Sequence, residues 1–526
     1  MAQDKPGVES PPPAGPAVAG KSSAPFAHAS EDRSFFGHPR GLSTLFFTEM
    51  WERMAYYGLR PLLVLFMSAA LLDGGFGFTR RTASSIVGIY AACVYLASLP
   101  GGWIADRLFG LRRAIWYGAI LIALGQISVA LSVVFARPAF FIGLILIVFG
   151  TGLLKPNISA IVGDLYPEGG SRRDAGFSIF YMGINIGALI APLVTGFLGE
   201  KVGWPYGFGA GGVAMLLGLA QYRLRAQPTL GDIGTQPTGT PEQKRTVKLA
   251  VGVTLAVVAS LVALTMAGIV HINPVAIAER MTIVMLGMAL LYFFYLFLAG
   301  GLTGDEKKRV AVIVVLFLFA TIFWSAFEQA PTSLNLFARD YTDRMIFGWE
   351  MPTLWLQSVN SVFVIAMAPV FAAIWVALGK RNRDLSSPGK FTVGLLFAAL
   401  AFLLMVPASN TIIAHGGHFR VSPWWLVGCY FLQTIGELSL SPVGLSSMTK
   451  LAPRAYAGQM MGVWFMASAL GTLVAGLVGG NVNPENLEQM PQLFLRTSES
   501  LFAACAVLVL LVVPIRRMMR EVPGKH

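Results

Sequence analysis

The sequence predicts an all-α polytopic membrane protein. Composition points there first: 55% of the 526 residues are hydrophobic, 13% are charged, and the mean hydropathy is +0.64. Soluble domains carry about 25% charged residues, so most of this chain's surface cannot face water. Second, apolar runs of about 20 residues or more, the length of a bilayer-spanning helix, recur along the chain. They are continuous rather than alternating, which excludes a membrane β-barrel. Third, the positive residues sit mainly in short stretches between these runs, as expected of loops held on the cytoplasmic side.

Fourteen apolar segments follow in order. Six lie near 42–70, 83–106, 113–135, 139–163, 174–198 and 205–224. Two follow near 247–270 and 278–300, and six more near 310–337, 353–378, 391–408, 423–449, 457–479 and 497–515. With both termini inside, about 23 basic residues fall in inner loops against about 9 outside. Residues 1–38 are rich in Pro, Ala, Gly and Ser and read as a disordered tail, without the apolar core of a secretory signal. Residues 226–245 are polar, rich in Pro, Gly and Thr, and read as a cytoplasmic linker. The expected organisation is a tail (1–38), a six-helix bundle (39–225), the linker (226–245), two extra membrane helices (246–301), a second six-helix bundle (302–520) and a C-terminal tail (521–526).

The two groups of six resemble each other. FFTEMWER (46–53) aligns without a gap on IFWSAFEQ (322–329), setting Glu52 opposite Glu328. KPNISAIVGDLYP (155–167) aligns on SPVGLSSMTKLAP (441–453), pairing Pro156 with Pro442 and Pro167 with Pro453. Each match falls on the corresponding segment of its half. Two parallel six-helix halves imply a central cavity at their interface and a transporter that rocks around it.

Charge inside the membrane marks the function. EMWERMAYYGLR (49–60) puts two glutamates and two arginines within the first apolar segment. At about 100° per residue, Glu49, Arg53, Tyr56 and Arg60 fall within about 60° of one another, and Glu52 widens the arc to about 100°. Tyr57 lies at its edge. Such a stripe must face a wet interior, because a charge facing lipid is costly. Lys155 lies mid-segment in the fourth span, where Glu49 or Glu52 is a candidate partner. Glu328 and Glu437 are each the lone acid of an apolar stretch, and Pro442 permits bending beside Glu437. Tyr95, Asn185, Asn360, Ser441 and Trp464 are further candidates for substrate contact. In GGWIADRLFGLRR (101–113), Asp106 and Arg107 are placed to latch the cytoplasmic side.

Other functional classes are excluded by what the chain lacks. The +12 net charge belongs to loops beside the membrane, so no nucleic-acid partner is expected. Cys93, Cys429 and Cys505 are widely spaced within apolar segments, so neither disulfide nor metal site is expected. No phosphate-binding glycine loop ending in GK[ST] is present, which argues against ATP-driven transport. The six histidines are scattered without partner cysteines. No enzyme activity and no cofactor are expected.

These motifs resemble one family. EMWER (49–53) resembles the ExxER motif of proton-coupled oligopeptide transporters, within the major facilitator superfamily, and FYMGINIGALIAP (180–192) resembles that family's FYxxINxGxL signature. GGWIADRLFGLRR resembles the superfamily's loop between its second and third helices, and the two inserted helices resemble bacterial members. The resemblance implies a major facilitator fold with 14 membrane helices and uptake of di- and tripeptides driven by an inward proton gradient. It implies proton coupling by Glu49, Glu52 and Arg53, with Glu328 available to share that role. Arg60 and Lys155 would meet the peptide carboxylate and Glu437 its amino terminus. Tyr57, Tyr95, Asn185 and Asn360 would hydrogen-bond the peptide, and Trp324 and Trp464 would line side-chain pockets. Arg60 and Glu328 would also pair as an extracellular gate. One departure matters: where animal members carry a histidine seven residues before the tyrosine matching Tyr95, this chain has Gly88. Coupling must then rest on carboxylates. The expected setting is a monomer in a bacterial inner membrane, with peptides, protons and the lipid bilayer as partners and the proton as coupling ion. Two other readings stay open, a carrier of another small anion or drug-like substrate and a peptide receptor that moves nothing.

Overall fold

The computed structural model describes residues 32–168, 170–381, 385–453, 456–482 and 486–520. The expected tails 1–31 and 521–526 lie outside these residues. The helices are α1 (Arg40–Ser68), α2 (Arg80–Ile104), α3 (Leu111–Ala130), α4 (Ser132–Asp164), α5 (Gly170–Phe197), α6 (Trp204–Leu230), α7 (Pro241–Met266) and α8 (Pro274–Leu298). They continue with α9 (Gly304–Phe327), the short α10 (Asn335–Tyr341), α11 (Ser358–Lys380), α12 (Ser387–Ala414), α13 (Trp424–Leu451), α14 (Ala457–Gly479) and α15 (Gln489–Arg520). All but α10 are long enough to cross a bilayer. Among the described residues, eleven also carry an apolar window of membrane-spanning quality. The other three are α1, which holds the charged stripe, α6 and α13.

Local chemistry sets the helix starts. Thr240 and Thr303 form capping boxes with Gln243 and Glu306, so α7 and α9 begin where a side chain satisfies free backbone N–H groups. Helix α6 runs on to Leu230 and α7 starts at Pro241, so much of the stretch read as a linker is helical. Its residual turn is strapped over the α2–α3 connection: Arg112 N donates to Gly234 O at 2.9 Å and Thr238 N to Asp106 O at 2.7 Å. The apolar segment near 310–337 is broken. Helix α9 ends at Phe327, a wide turn covers Ala330–Leu334, and α10 follows. Pro331 has no N–H to continue the ladder, and Glu328 sits at the break.

Residues 32–38, expected within the disordered tail, fold against the α4–α5 turn. Arg172 donates to Asp32 O at 2.8 Å, and His38 Nδ1 lies 2.8 Å from the Tyr166 hydroxyl. Burial, and then the Arg172 charge, hold the His38 pKa below its ordinary value.

Helix α1 packs on α5 and α6, α4 on α2 and α3, α9 on α14, and α12 on α13 and α15, giving two bundles. The bundles meet where α2 crosses α14 and where α5 crosses α11. Helix α8 lies against α2 and α14, while α7 touches the turn at 105–109 and buries only Val247 of its own length.

The α2–α14 crossing explains Gly88. A Cβ there would stand 3.0 Å from Gly476 Cα and 3.1 Å from Thr472 O, so the two backbones meet with no room for a side chain. Gly88→His is therefore expected to force the bundles apart, at about 1–3 kcal/mol for overpacking. The check is a distance between spin labels at Leu72 and Phe347, which are fully exposed near the same end of the molecule. The separation should lengthen, and an unchanged distribution would show that the crossing tolerates bulk.

Candidate functional site

The charged stripe of α1 is buried at the interface of the bundles. Glu49, Glu52 and Arg53 are 2%, 1% and 3% exposed. Helical spacing lets one guanidinium hold both acids: Arg53 Nε lies 3.2 Å from Glu49 Oε1 and also bonds Glu52 Oε2. Glu49 Oε2, Glu52 Oε1 and Arg53 Nη2 have no protein partner. This corrects one expectation. Lys155 pairs with neither glutamate, and its Nζ instead stands 4.8 Å from the Tyr95 ring centroid. The reason is local, since Arg53 lies one residue from Glu52 and four from Glu49, whereas Lys155 must reach across from α4.

One helical turn beyond Tyr56, Arg60 forms an ion pair with Glu328, joining the two bundles through buried side chains. The break after α9 delivers Glu328 to that point. Other bonds between the bundles lie around it. Asn335 Nδ2 donates to Pro61 O at 2.7 Å, Arg80 Nη1 meets Asp340 Oδ2 at 2.5 Å, and Ser358 Oγ donates to Leu189 O at 2.8 Å. The Glu200 carboxylate accepts from Thr353 N at 2.9 Å, Thr353 Oγ1 at 2.8 Å and Leu354 N at 3.2 Å, capping the 3₁₀ turn before α11. These contacts close the end of the molecule opposite the α2–α3 loop.

The loop end is different. Asp106 and Arg107, expected to latch it, bond no side chain of the other bundle among the described residues. Asp106 is exposed, and its main-chain oxygen accepts from Thr238. That latch is not made in this structure. Tyr181 on α5 is 45% exposed.

Across the interface, Glu437 on α13 keeps Oε2 without a partner, as does Ser441 its Oγ and Trp324 its Nε1. Asn360 Nδ2 donates to Thr434 Oγ1 at 2.9 Å, while Asn185 Nδ2 turns back to Tyr181 O at 2.9 Å. Tyr57, Tyr95 and Tyr181 lie within electrostatic range of Glu328 or Glu437. Trp464 is 6% exposed, its ring fills the notch left by Gly444, and it packs against Phe391. The assembled site has buried cations on the first bundle and unpaired carboxylate and hydroxyl oxygens on the second. Tyr181 and Glu200 escape a reading of the sequence alone. Tyr181 had a signal, lying four residues before Asn185 and so on the same helical face. Glu200 had none, because its partners come from a turn about 150 residues away.

A model of the POT family matches residues 112–490. The chain is 50% identical over 503 residues to the peptide transporter YePEPT of Yersinia enterocolitica subsp. palearctica, covering 94% of this chain and 98% of that one. It is 38% identical over 451 residues to a di-/tripeptide transporter of Lactococcus lactis subsp. cremoris, with 83% and 88% covered. Among solved structures it is similar to a peptide transporter POT in complex with sulfate, at TM-score 0.84 and 40% identity, with 92% of this chain and 96% of that one covered. A POT family transporter in complex with 5-aminolevulinic acid gives TM-score 0.83 at 35% identity, with 92% and 98% covered.

Proposed function

Because this multi-pass membrane chain belongs to the POT family of transporters, we propose that it imports di- and tripeptides together with protons, by alternating access. The observation that carries the reading is the polarity of the site. Arg60 and Lys155 stand on one bundle and Glu437 on the other, with Glu328 bridging. A peptide is a zwitterion with its charges one or two residues apart, so it can engage both bundles at once. A simple anion has no use for Glu437.

In this reading Glu49, Glu52 and Arg53 form the proton-responsive group, with Glu328 as its counterpart at the gate. Tyr57, Tyr95, Asn185, Asn360, Ser441 and Trp324 surround the peptide, and Trp464 joins them when its helix moves. Asp106 and Arg107 latch the loop end when the opposite end opens. The loop charges support an inner-membrane protein with both termini in the cytoplasm.

The test is uptake of labelled dialanine into liposomes holding the purified protein, under an inward pH gradient, with and without an uncoupler. Accumulation above the external concentration, collapsed by the uncoupler, is the expected result. Uptake indifferent to the gradient would remove proton coupling, and binding without flux would favour a receptor.

A further inference from the structure

Two ion-pair groups on α1 are separated by a single aromatic ring. Tyr56 is 4% exposed and lies three residues after Arg53 and four before Arg60. The Arg53 guanidinium carbon stands 5.0 Å from the centre of its ring and that of Arg60 5.3 Å, both over the ring. Each arginine is committed elsewhere, Arg53 to Glu49 and Glu52, Arg60 to Glu328 across the bundle interface. The hydroxyl of Tyr56 makes no bond, so the ring is not held there by hydrogen bonding. Tyr90 of α2 lies beside it, with ring centroids 6.3 Å apart, and its hydroxyl is also unbonded.

We propose that Tyr56 is a positioning residue whose π face couples the acidic group of α1 to the Arg60–Glu328 gate. The inference rests on the proton-driven transport proposed above. With both acids ionised, Glu49, Glu52 and Arg53 together carry one negative charge, which draws Arg60 toward them along the shared ring. A proton on either acid removes that charge. Arg60 is then left to Glu328, and the end opposite the α2–α3 loop closes. The other titratable groups facing this core are Tyr57 on α1, Tyr90 and Tyr95 on α2, Lys155 on α4, and Glu437 on α13 beyond Tyr57. Arg53 also stands 6.0 Å from the centre of the Tyr57 ring, but among the described residues only the Tyr56 ring has both arginines over it. A face attracting two cations is an electrostatic feature of the ring, so removing the ring's quadrupole should decouple the groups without changing shape.

The experiment replaces Tyr56 by Phe and by mono-, di- and trifluorinated phenylalanine, which keep the ring's size while emptying its face of negative potential. Spin labels at Leu72 and Phe347 report closure as pH falls, and dialanine accumulation is measured alongside. Phe should behave as Tyr, and the fluorinated series should lose the acid-driven closure in steps, with accumulation falling about tenfold at three fluorines. A flat series, or loss already complete in Tyr56→Phe, overturns the proposal. The distance readout needs no substrate. A parent chain that closes with acid but moves no peptide would fail the transport reading while still testing the ring.

Discussion

Glu52→Gln is expected to abolish accumulation of dialanine while sparing its exchange across the membrane. The amide keeps the size of the side chain but holds no titratable proton. Exchange returns each carrier in its loaded form and needs no net proton movement, so it survives. The size of the effect follows from the driving force. A gradient of ~2 pH units is worth about 2.7 kcal/mol per proton, enough for about 100-fold accumulation. Without coupling the ratio of internal to external peptide falls to about one. Proteoliposomes loaded with unlabelled or no peptide separate the two activities. If the variant still concentrates peptide under the gradient, the proton is carried elsewhere, and Glu49→Gln and Glu328→Gln become the next tests.

Arg60→Ala should open the end of the molecule that the structure shows sealed. Arg60 and Glu328 are both buried, at 5% and 6% exposure. Removing one partner leaves a buried carboxylate uncompensated, a loss of about 3–5 kcal/mol from the closed conformation. Opening that end lets water reach Glu328 and relieves the loss, so the equilibrium should move toward the open form. The Leu72–Phe347 label distance should lengthen, and a thiol reagent added to that side should reach cysteines placed along α9. Adding Glu328→Gln to Arg60→Ala removes the stranded charge and should recover much of the closure. A pair in contact is expected to depart from additivity by about 0.5–3 kcal/mol. Additive effects would mean that the neighbouring bonds, above all Glu200 on Thr353 and Leu354 and Asn335 on Pro61, close this end without the ion pair.

Much of this molecule is written locally. Continuous apolar runs define the long helices, because a bilayer asks only for length and an apolar surface. The 100° period alone places Glu49, Arg53, Tyr56 and Arg60 on one face of α1, since neighbours within a helix are fixed by its own geometry. The repeat and the family motifs likewise need only short stretches of chain. What a face meets is another matter. Nothing near Lys155 in the chain says that it rests on Tyr95 while Arg53 takes both glutamates. The stretch around Glu328 does not reveal that the helix breaks there, and the pairing of its carboxylate with Arg60, 268 residues earlier, is expected only through the family resemblance. The backbone contact of Gly88 with Gly476 and the Glu200 cap on the turn before α11 are of the same kind. Each depends on how distant helices pack, and packing is settled by the shape of the whole interface, which no local window of sequence contains.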